Sequence, residues 1–189
     1  MSTDTSTAVQ EPPHPAPDRP QARTLARLAA GRAPAPPSTA AALHSVSGAT
    51  AVMLVLVAIG AVIHEPVLIP PLAASAAIVH SMPGLPLAQP RSVIAGHLIC
   101  AAVGYGALAA FGSAPWVAAV AAGVALAAMT MARTPHSPAC ATAVVIVLRT
   151  PDPATFVPLL AGSAVLLVLA GCALSRARAG ATRYPVYWW

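Results

Sequence analysis

The chain has 189 residues, of which 57% are hydrophobic and 8% are charged, and its mean hydropathy is +0.73. A soluble globular domain carries about 25% charged residues, so the composition excludes an ordinary soluble domain and predicts a membrane protein. The net charge of +5 results from ten arginines and five acidic residues. Most of the arginines flank the apolar segments and do not alternate with aromatic residues, which favours contact with a lipid bilayer and argues against nucleic acid as a partner.

The first 42 residues are polar and proline-rich, with "EPPHPAPDRP" and "APAPP" breaking any apolar period. A segment of this composition cannot bury enough apolar surface to fold. It also lacks the order of charge, apolar core and small-residue cleavage site that marks a signal peptide. We expect residues 1–42 to form a disordered cytoplasmic arm.

Four long apolar segments follow, at about 46–64, 92–111, 114–132 and 155–175. Each approaches the ~20 residues that span a bilayer. Two shorter apolar segments, 67–80 and 138–148, lie between them and carry proline at or near their starts. The prediction is an all-α polytopic membrane protein with four long transmembrane helices plus two short broken or re-entrant helices, over residues 45–176.

The two short segments resemble each other. "PLAASAAIV" from Pro71 and "PACATAVVI" from Pro138 align Ser75 with Thr142, and "AGH" and "AGS" follow at nearly the same offset. The chain therefore reads as two copies of long, short, long, an internal two-fold repeat of the kind that builds many transporters. Chance similarity in an alanine-rich sequence is the alternative.

The path of the short segments stays open at this point. If they cross the membrane, there are six spans, the halves are inverted, and Arg91 and Arg133 share the side of both termini. If they re-enter, four spans remain and Arg91, Arg133 and Arg149 lie on the opposite side. The preference of arginine for the cytoplasm favours six segments with both termini inside.

The stretch "RTPHSPACATAV", residues 133–144, places polar groups between two apolar segments. Its prolines predict that one helix ends and another begins there. We expect free N–H groups near Ala139 to Ala141, and a helix start with a nearby cation and hydroxyl is a general anion site. A proline kink whose polar groups bond internally is the alternative. The predicted substrate-binding residues are His136, Ser137, Pro138, Arg133 and Thr142, with His97 and Arg91 as second candidates.

The sequence resembles the HPP family of bacterial and plastid integral membrane proteins. The resemblance rests on "LAQPRSVIAGHL" (Leu87 to Leu98), "RTPHSPACATAV" and the closing "RYPVYWW", in that order. Family members usually read His-Pro-Pro-Ala-Gly-Ala-Thr-Ala at the signature, whereas Ser137 and Cys140 here replace a proline and the glycine. The resemblance implies a bacterial inner-membrane transporter, with nitrite as the lead substrate among small inorganic anions.

Three other functions remain open. His97 with Cys100, and His136 with Cys140, share helix faces and could serve a soft-metal transporter. An intramembrane enzyme would need a serine nucleophile with a positioned base, and no Gly-x-Ser-x-Gly occurs. A non-transporting assembly subunit could use the small residues of helix 114–132 to associate. We expect no catalytic residue, no bound metal and no cofactor at the anion site, and we expect a homodimer.

The chain closes on a basic and aromatic stretch, residues 177–189, which includes Arg178 and Arg183. Its aromatic residues are typical of the membrane–water interface. The prediction is an interfacial tail anchored by Tyr184, Tyr187, Trp188 and Trp189.

Overall fold

A computed structural model describes residues 35–177 and 183–188. The predicted arm lies outside this range except for its last eight residues, and Trp189 and residues 178–182 of the tail lie outside it too. The described residues form six α-helices and one short 3-10 turn, Pro86–Ala88. The helices are α1 Thr39–Ile63, α2 Pro70–Ser81, α3 Pro90–Phe111, α4 Pro115–Met131, α5 Ser137–Arg149 and α6 Pro153–Ala177.

The starts of the helices follow local chemistry. Helix α1 begins at Thr39, inside the predicted arm, because Ser38 caps it: the N–H of Ala41 donates to the Ser38 hydroxyl at 3.3 Å. Helices α2, α3, α4 and α5 each carry a proline in the first turn. Proline suits that position because its fixed φ matches the helix and its missing N–H would have no helical partner there.

Three helices, α1, α3 and α6, are long and apolar enough to cross a membrane. The predicted fourth long span, α4, has 17 residues and falls just short of that length. A count of four long transmembrane helices is therefore not confirmed, and the two-fold repeat stays a prediction. The exposed side chains of α1 and α4 are largely apolar, with Leu54 62% exposed and Val120 57% exposed, as expected of helices whose surroundings are lipid.

The short helices α2 and α5 have 12 and 13 residues, about 18–20 Å of helix against a bilayer core of ~30 Å. They nevertheless run from one end of the bundle to the other. The start of α2 lines a cleft with Pro151 and the start of α6, whereas Val79 near its end lies against Gly171 of α6. This path favours the six-segment interpretation over re-entrant segments.

The two ends of the bundle differ in charge. One end holds residues 82–91, 132–136, 175–177 and 183–188, which contacts such as Arg91 to the Ala132 carbonyl oxygen, 2.8 Å, and Ser175 to the Tyr184 carbonyl oxygen, 3.0 Å, join together. We call it the basic end. Of the described charged residues, four arginines belong to it: Arg91, Arg133, Arg176 and Arg183. The acidic end holds Glu65 and Asp152, which line one cleft, and Arg149.

The side chain of Tyr184, a predicted interfacial anchor, does not extend outward from the bundle. That side chain is buried in the bundle, and its hydroxyl donates to the Ala88 carbonyl oxygen at 2.9 Å. Burial raises the pKa of the Tyr184 phenol, so it remains a donor. The buried amide of Gln89 accepts from the N–H of Val186 at 2.9 Å. Tyr187 and Trp188 are 40% and 49% exposed, and their place at a membrane interface stays a prediction.

Candidate functional site

A cluster of four polar side chains lies buried where α2, α3 and α5 meet. We call it the buried polar cluster: Ser75, His97, His136 and Thr142. Each is at most 1% exposed. Ionisable side chains inside a membrane bundle are costly and usually mark function.

The hydroxyl of Ser75 is the centre of the cluster. Its Oγ lies 2.9 Å from Nε2 of His97 and 2.8 Å from Nε2 of His136. The two imidazole rings stand edge to face with centroids 5.2 Å apart. Thr142 completes the chain, with Oγ1 lying 2.8 Å from Nδ1 of His97.

His136 precedes α5, and its ring turns back into the bundle. Its Nδ1 donates to the Leu87 carbonyl oxygen at 2.7 Å, which ties the start of α5 to the 3-10 turn. Gly96 of α3 makes room for this residue: a Cβ added at Gly96 would lie 2.8 Å from the His136 Cβ and 3.3 Å from the Met129 sulfur. The close approach of α3 therefore fixes the position of the ring.

The helix start at α5 offers fewer free donors than the sequence predicted. The N–H of Ala139 donates to the His136 carbonyl oxygen at 3.0 Å, so the expectation of a free group there is wrong. Pro138 has no N–H and is buried, while Ser137 is exposed at the first position. The cluster inside the bundle, rather than the helix terminus, gathers most of the polar groups.

The two candidate arginines lie at the basic end, outside the cluster. Arg91 is half-buried, and its guanidinium caps the end of α4 through the Ala132 carbonyl oxygen. Arg133 is exposed and has φ 55°, in the left-handed region. The structure thus brings together three of the seven predicted residues, His136, His97 and Thr142, and places Arg91, Arg133, Ser137 and Pro138 around the start of α5.

The residue that the site prediction missed is Ser75. The signal was present, because the faint repeat aligns Ser75 with Thr142, and both hydroxyls bond His97. A serine in an alanine-rich segment gives no other indication of function.

The cysteines do not join the histidines in a metal centre. Within residues 35–177 and 183–188, no group of three or more His, Cys, Asp or Glu side chains is arranged to hold a metal. Cys100 lies against Met129, with the sulfurs 3.6 Å apart, and both ring nitrogens of His97 have cluster partners.

Comparison with known proteins agrees with this membrane architecture. The chain is similar to two transmembrane proteins of Dictyostelium discoideum. One is 38% identical over 132 residues, which cover 65% of this chain and 46% of the relative. The other is 35% identical over 126 residues, covering 62% and 40%. The chain thus spans less than half the length of these relatives.

No solved structure matches the chain significantly. The family model described as "HPP, transmembrane region" matches residues 34–185, which includes all six described helices and the buried polar cluster. The chain therefore belongs to the HPP transmembrane family.

Proposed function

We propose that this protein transports a small inorganic anion across a membrane and that His136 lies on the path. The observation that carries the proposal is the buried polar cluster at the crossing of two short helices. An apolar bundle has no structural need for two imidazoles at its centre, and such groups in membrane proteins usually serve transport or proton transfer.

The charge of the basic end supports an anion rather than a cation. Arg91 contacts the Ala132 carbonyl oxygen, and Arg133 is three residues before His136, so both arginines lie near the start of α5. Fixed positive charge at the mouth of a path raises the local concentration of anions. His136 itself gains a positive charge when protonated and could then pair with an anion inside the bundle.

The backbone at Arg133 adds a second argument. The N–H of Thr134 donates to the Met129 carbonyl oxygen at 2.9 Å, and the N–H of Arg133 donates to the Thr130 carbonyl oxygen at 3.1 Å. This is a Schellman ending of α4, in which glycine is the favoured residue at the left-handed position. An arginine at this strained position is consistent with a use for its charge.

Nitrite is the first substrate to test because the resemblance to the family implies it. Both imidazoles are buried, so an anion would reach His136 only when the bundle opens toward one end. The proposal needs no catalytic residue and no cofactor. A soft-metal transporter is the weaker alternative, since it rests on two His–Cys pairs and not on a metal cluster.

The proposed setting is the cytoplasmic membrane of a bacterium. The basic end would face the cytoplasm, because arginine-rich segments are retained there. Both chain termini would then be cytoplasmic. We also propose a homodimer, since Gly123 on the exposed face of α4 has no atom within 4 Å of where its Cβ would be and so leaves room for close helix contact.

Uptake of nitrite into proteoliposomes tests the function. We expect wild type to exceed protein-free vesicles and His136→Ala to fall to their level. His64→Asn is the matched control, because His64 is exposed at the acidic end and asparagine tolerates its left-handed backbone. Protein-free vesicles are essential because nitrous acid crosses bilayers unaided.

Two results would contradict the proposal. Wild type that is folded and inserted but no faster than protein-free vesicles would exclude nitrite. Normal uptake by a folded His136→Ala protein would remove His136 from the path.

A further inference from the structure

The Ser75 hydroxyl has one proton and three partners. Besides lying close to the two Nε2 atoms of His97 and His136, it donates to the Pro71 carbonyl oxygen at 2.8 Å. That carbonyl is one helical turn back, where the regular helical pattern also supplies it with the Ser75 N–H. The carbonyl therefore keeps a partner when the hydroxyl rotates to donate to either ring, and the direction of the hydroxyl decides the protonation of both rings.

The Leu87 carbonyl fixes one end of the chain of bonds. A carbonyl oxygen only accepts, so Nδ1 of His136 carries a proton. In neutral His136, Nε2 then has no proton and accepts from Ser75. Nε2 of His97 donates to the Ser75 oxygen in turn, and the Thr142 hydroxyl donates to Nδ1 of His97.

A second arrangement holds one more proton with every bond still made. His136 is doubly protonated, and its Nε2 donates to the Ser75 oxygen. Ser75 now donates to Nε2 of His97, whose Nδ1 donates to Thr142. All three hydrogen bonds have reversed direction without a change in the positions of the heavy atoms.

From these two arrangements we infer that the buried polar cluster takes up one proton for each anion carried, through Ser75. This inference rests on the proposed function and names its coupling. Thr142 is buried, so a proton from water passes to it when the bundle opens, and the Thr142 proton goes to Nδ1 of His97. The Nε2 proton of His97 goes to Ser75, and the Ser75 proton goes to His136.

The transfer conserves every proton and leaves one positive charge on His136. When the cluster has opened to the other side, the same steps in reverse return the proton through Thr142 to water there. Because the anion travels with that charge, no net charge crosses the membrane. Protonation thus serves both as the binding charge for the anion and as the coupling.

The surroundings leave the rings to act on each other. In the part of the chain that the structure describes, the other titratable side chains on the three helices of the cluster have no hydrogen bond to either ring. They are His80 on α2, Arg91, Cys100 and Tyr105 on α3, and Cys140 and Arg149 on α5. Helix α4, which packs against α3 and α5, carries no titratable side chain.

The test compares net uptake with exchange in proteoliposomes of wild type, Ser75→Ala and Ser81→Ala. Ser81 is the matched control, because it lies on the same helix and its exposed hydroxyl donates only to the Ala77 carbonyl oxygen. Net nitrite uptake is measured at membrane potentials set by potassium and valinomycin. Exchange is measured as entry of nitrogen-15 nitrite into vesicles loaded with unlabelled nitrite.

We expect the rate of wild-type net uptake to be independent of membrane potential, because no net charge crosses the membrane. Ser75→Ala should lose net uptake, since a proton on His136 cannot be passed back to water, but keep exchange, because a proton that remains on His136 binds each anion in turn. Ser81→Ala should match wild type in both assays. Leakage of nitrous acid is the same with and without protein and is subtracted.

Each other outcome has a defined meaning. Wild-type uptake that an inside-positive potential accelerates shows movement of net charge and overturns the coupling, while anion transport stands. Ser75→Ala that behaves as wild type, or a folded variant that loses exchange as well, overturns the role of Ser75 in proton transfer. Wild type without uptake removes the proposed function and the coupling with it. If Ser75→Ala does not fold, the wild-type response to potential still decides.

Discussion

The two short helices α2 and α5 have similar surroundings in the chain, but different residues precede them. Each follows a helix that ends near a left-handed residue, His64 or Arg133. Each carries a proline in its first turn and gives one buried hydroxyl to His97. The residue before α2 is the apolar Ile69, whereas the residue before α5 is His136.

This difference separates the features that serve the fold from those that serve the proposed function. The proline start and the left-handed turn occur at both ends of the bundle, so they serve the fold. The histidine, the nearby arginines and the link to the 3-10 turn occur at the basic end alone. A function that depends on His136 should therefore respond to changes at this end and not to matched changes at corresponding positions elsewhere.

The largest difference is expected between Gly96→Ala and Gly162→Ala, which occupy matching positions in "AGH" and "AGS". A Cβ at Gly96 would press on His136, whereas nothing lies within 4 Å of one at Gly162. Overpacking of this kind costs about 1–3 kcal/mol. We expect Gly96→Ala to lower the thermal unfolding temperature in detergent and to abolish uptake, with Gly162→Ala unchanged. Equal behaviour of the two variants would contradict the fitted position of His136.

A smaller difference, in the rate of uptake, is expected between Arg133→Gly and His64→Gly. Glycine relieves the left-handed backbone at both positions, by at most about 1–2 kcal/mol, so neither variant should lose stability. Arg133→Gly should nevertheless slow uptake, by roughly tenfold at low salt. The deficit should shrink as added salt screens the wild-type charge. A salt-independent deficit would show that Arg133 acts other than by long-range attraction.

The smallest expected difference is in stability, between variants that lose the Ser75 or the Thr142 hydroxyl. Ser75 bridges two rings and Thr142 bonds one, so Thr142→Val should destabilise less than Ser75→Ala. Hydrogen bonds between membrane helices are worth about 0.6 kcal/mol on average and at most about 1.7. Thermal unfolding of both variants beside Thr142→Ser measures the difference. A larger loss for Thr142→Val would mean that Thr142, not Ser75, holds the cluster together.

Most of the fold could be predicted from the sequence because apolar length and proline punctuation are local signals. All six segments appear as helices, with boundaries within a few residues except at α1, where Ser38 and the alanines after it extend the helix. The insertion of Tyr184 could not be predicted. An aromatic residue near arginines is typical of an interface, and its burial depends on a space beside Gly171 that only the packed helices create.

The site was predicted in part for the same reason. His136 and His97 stand out as polar residues in apolar segments, so composition alone singles them out. Their meeting through Ser75, 22 and 61 residues from it in sequence, depends on how α2 packs against α3 and α5. The sequence predicted too many free N–H groups at the start of α5, because Pro138 has no N–H and the N–H of Ala139 is already bonded.

The 3-10 turn Pro86–Ala88 has a practical consequence for anyone labelling this protein. Its neighbouring carbonyls hold two different partners: Leu87 accepts from His136, and Ala88 accepts from Tyr184. A bulky label attached next to Tyr184, at Val186, would disturb the hydrogen bond from Tyr184 to Ala88 and, one peptide unit away, the hydrogen bond that supports His136. Reporters are better inserted at Gly112, an exposed residue between α3 and α4 with no atom within 4 Å of where its Cβ would be.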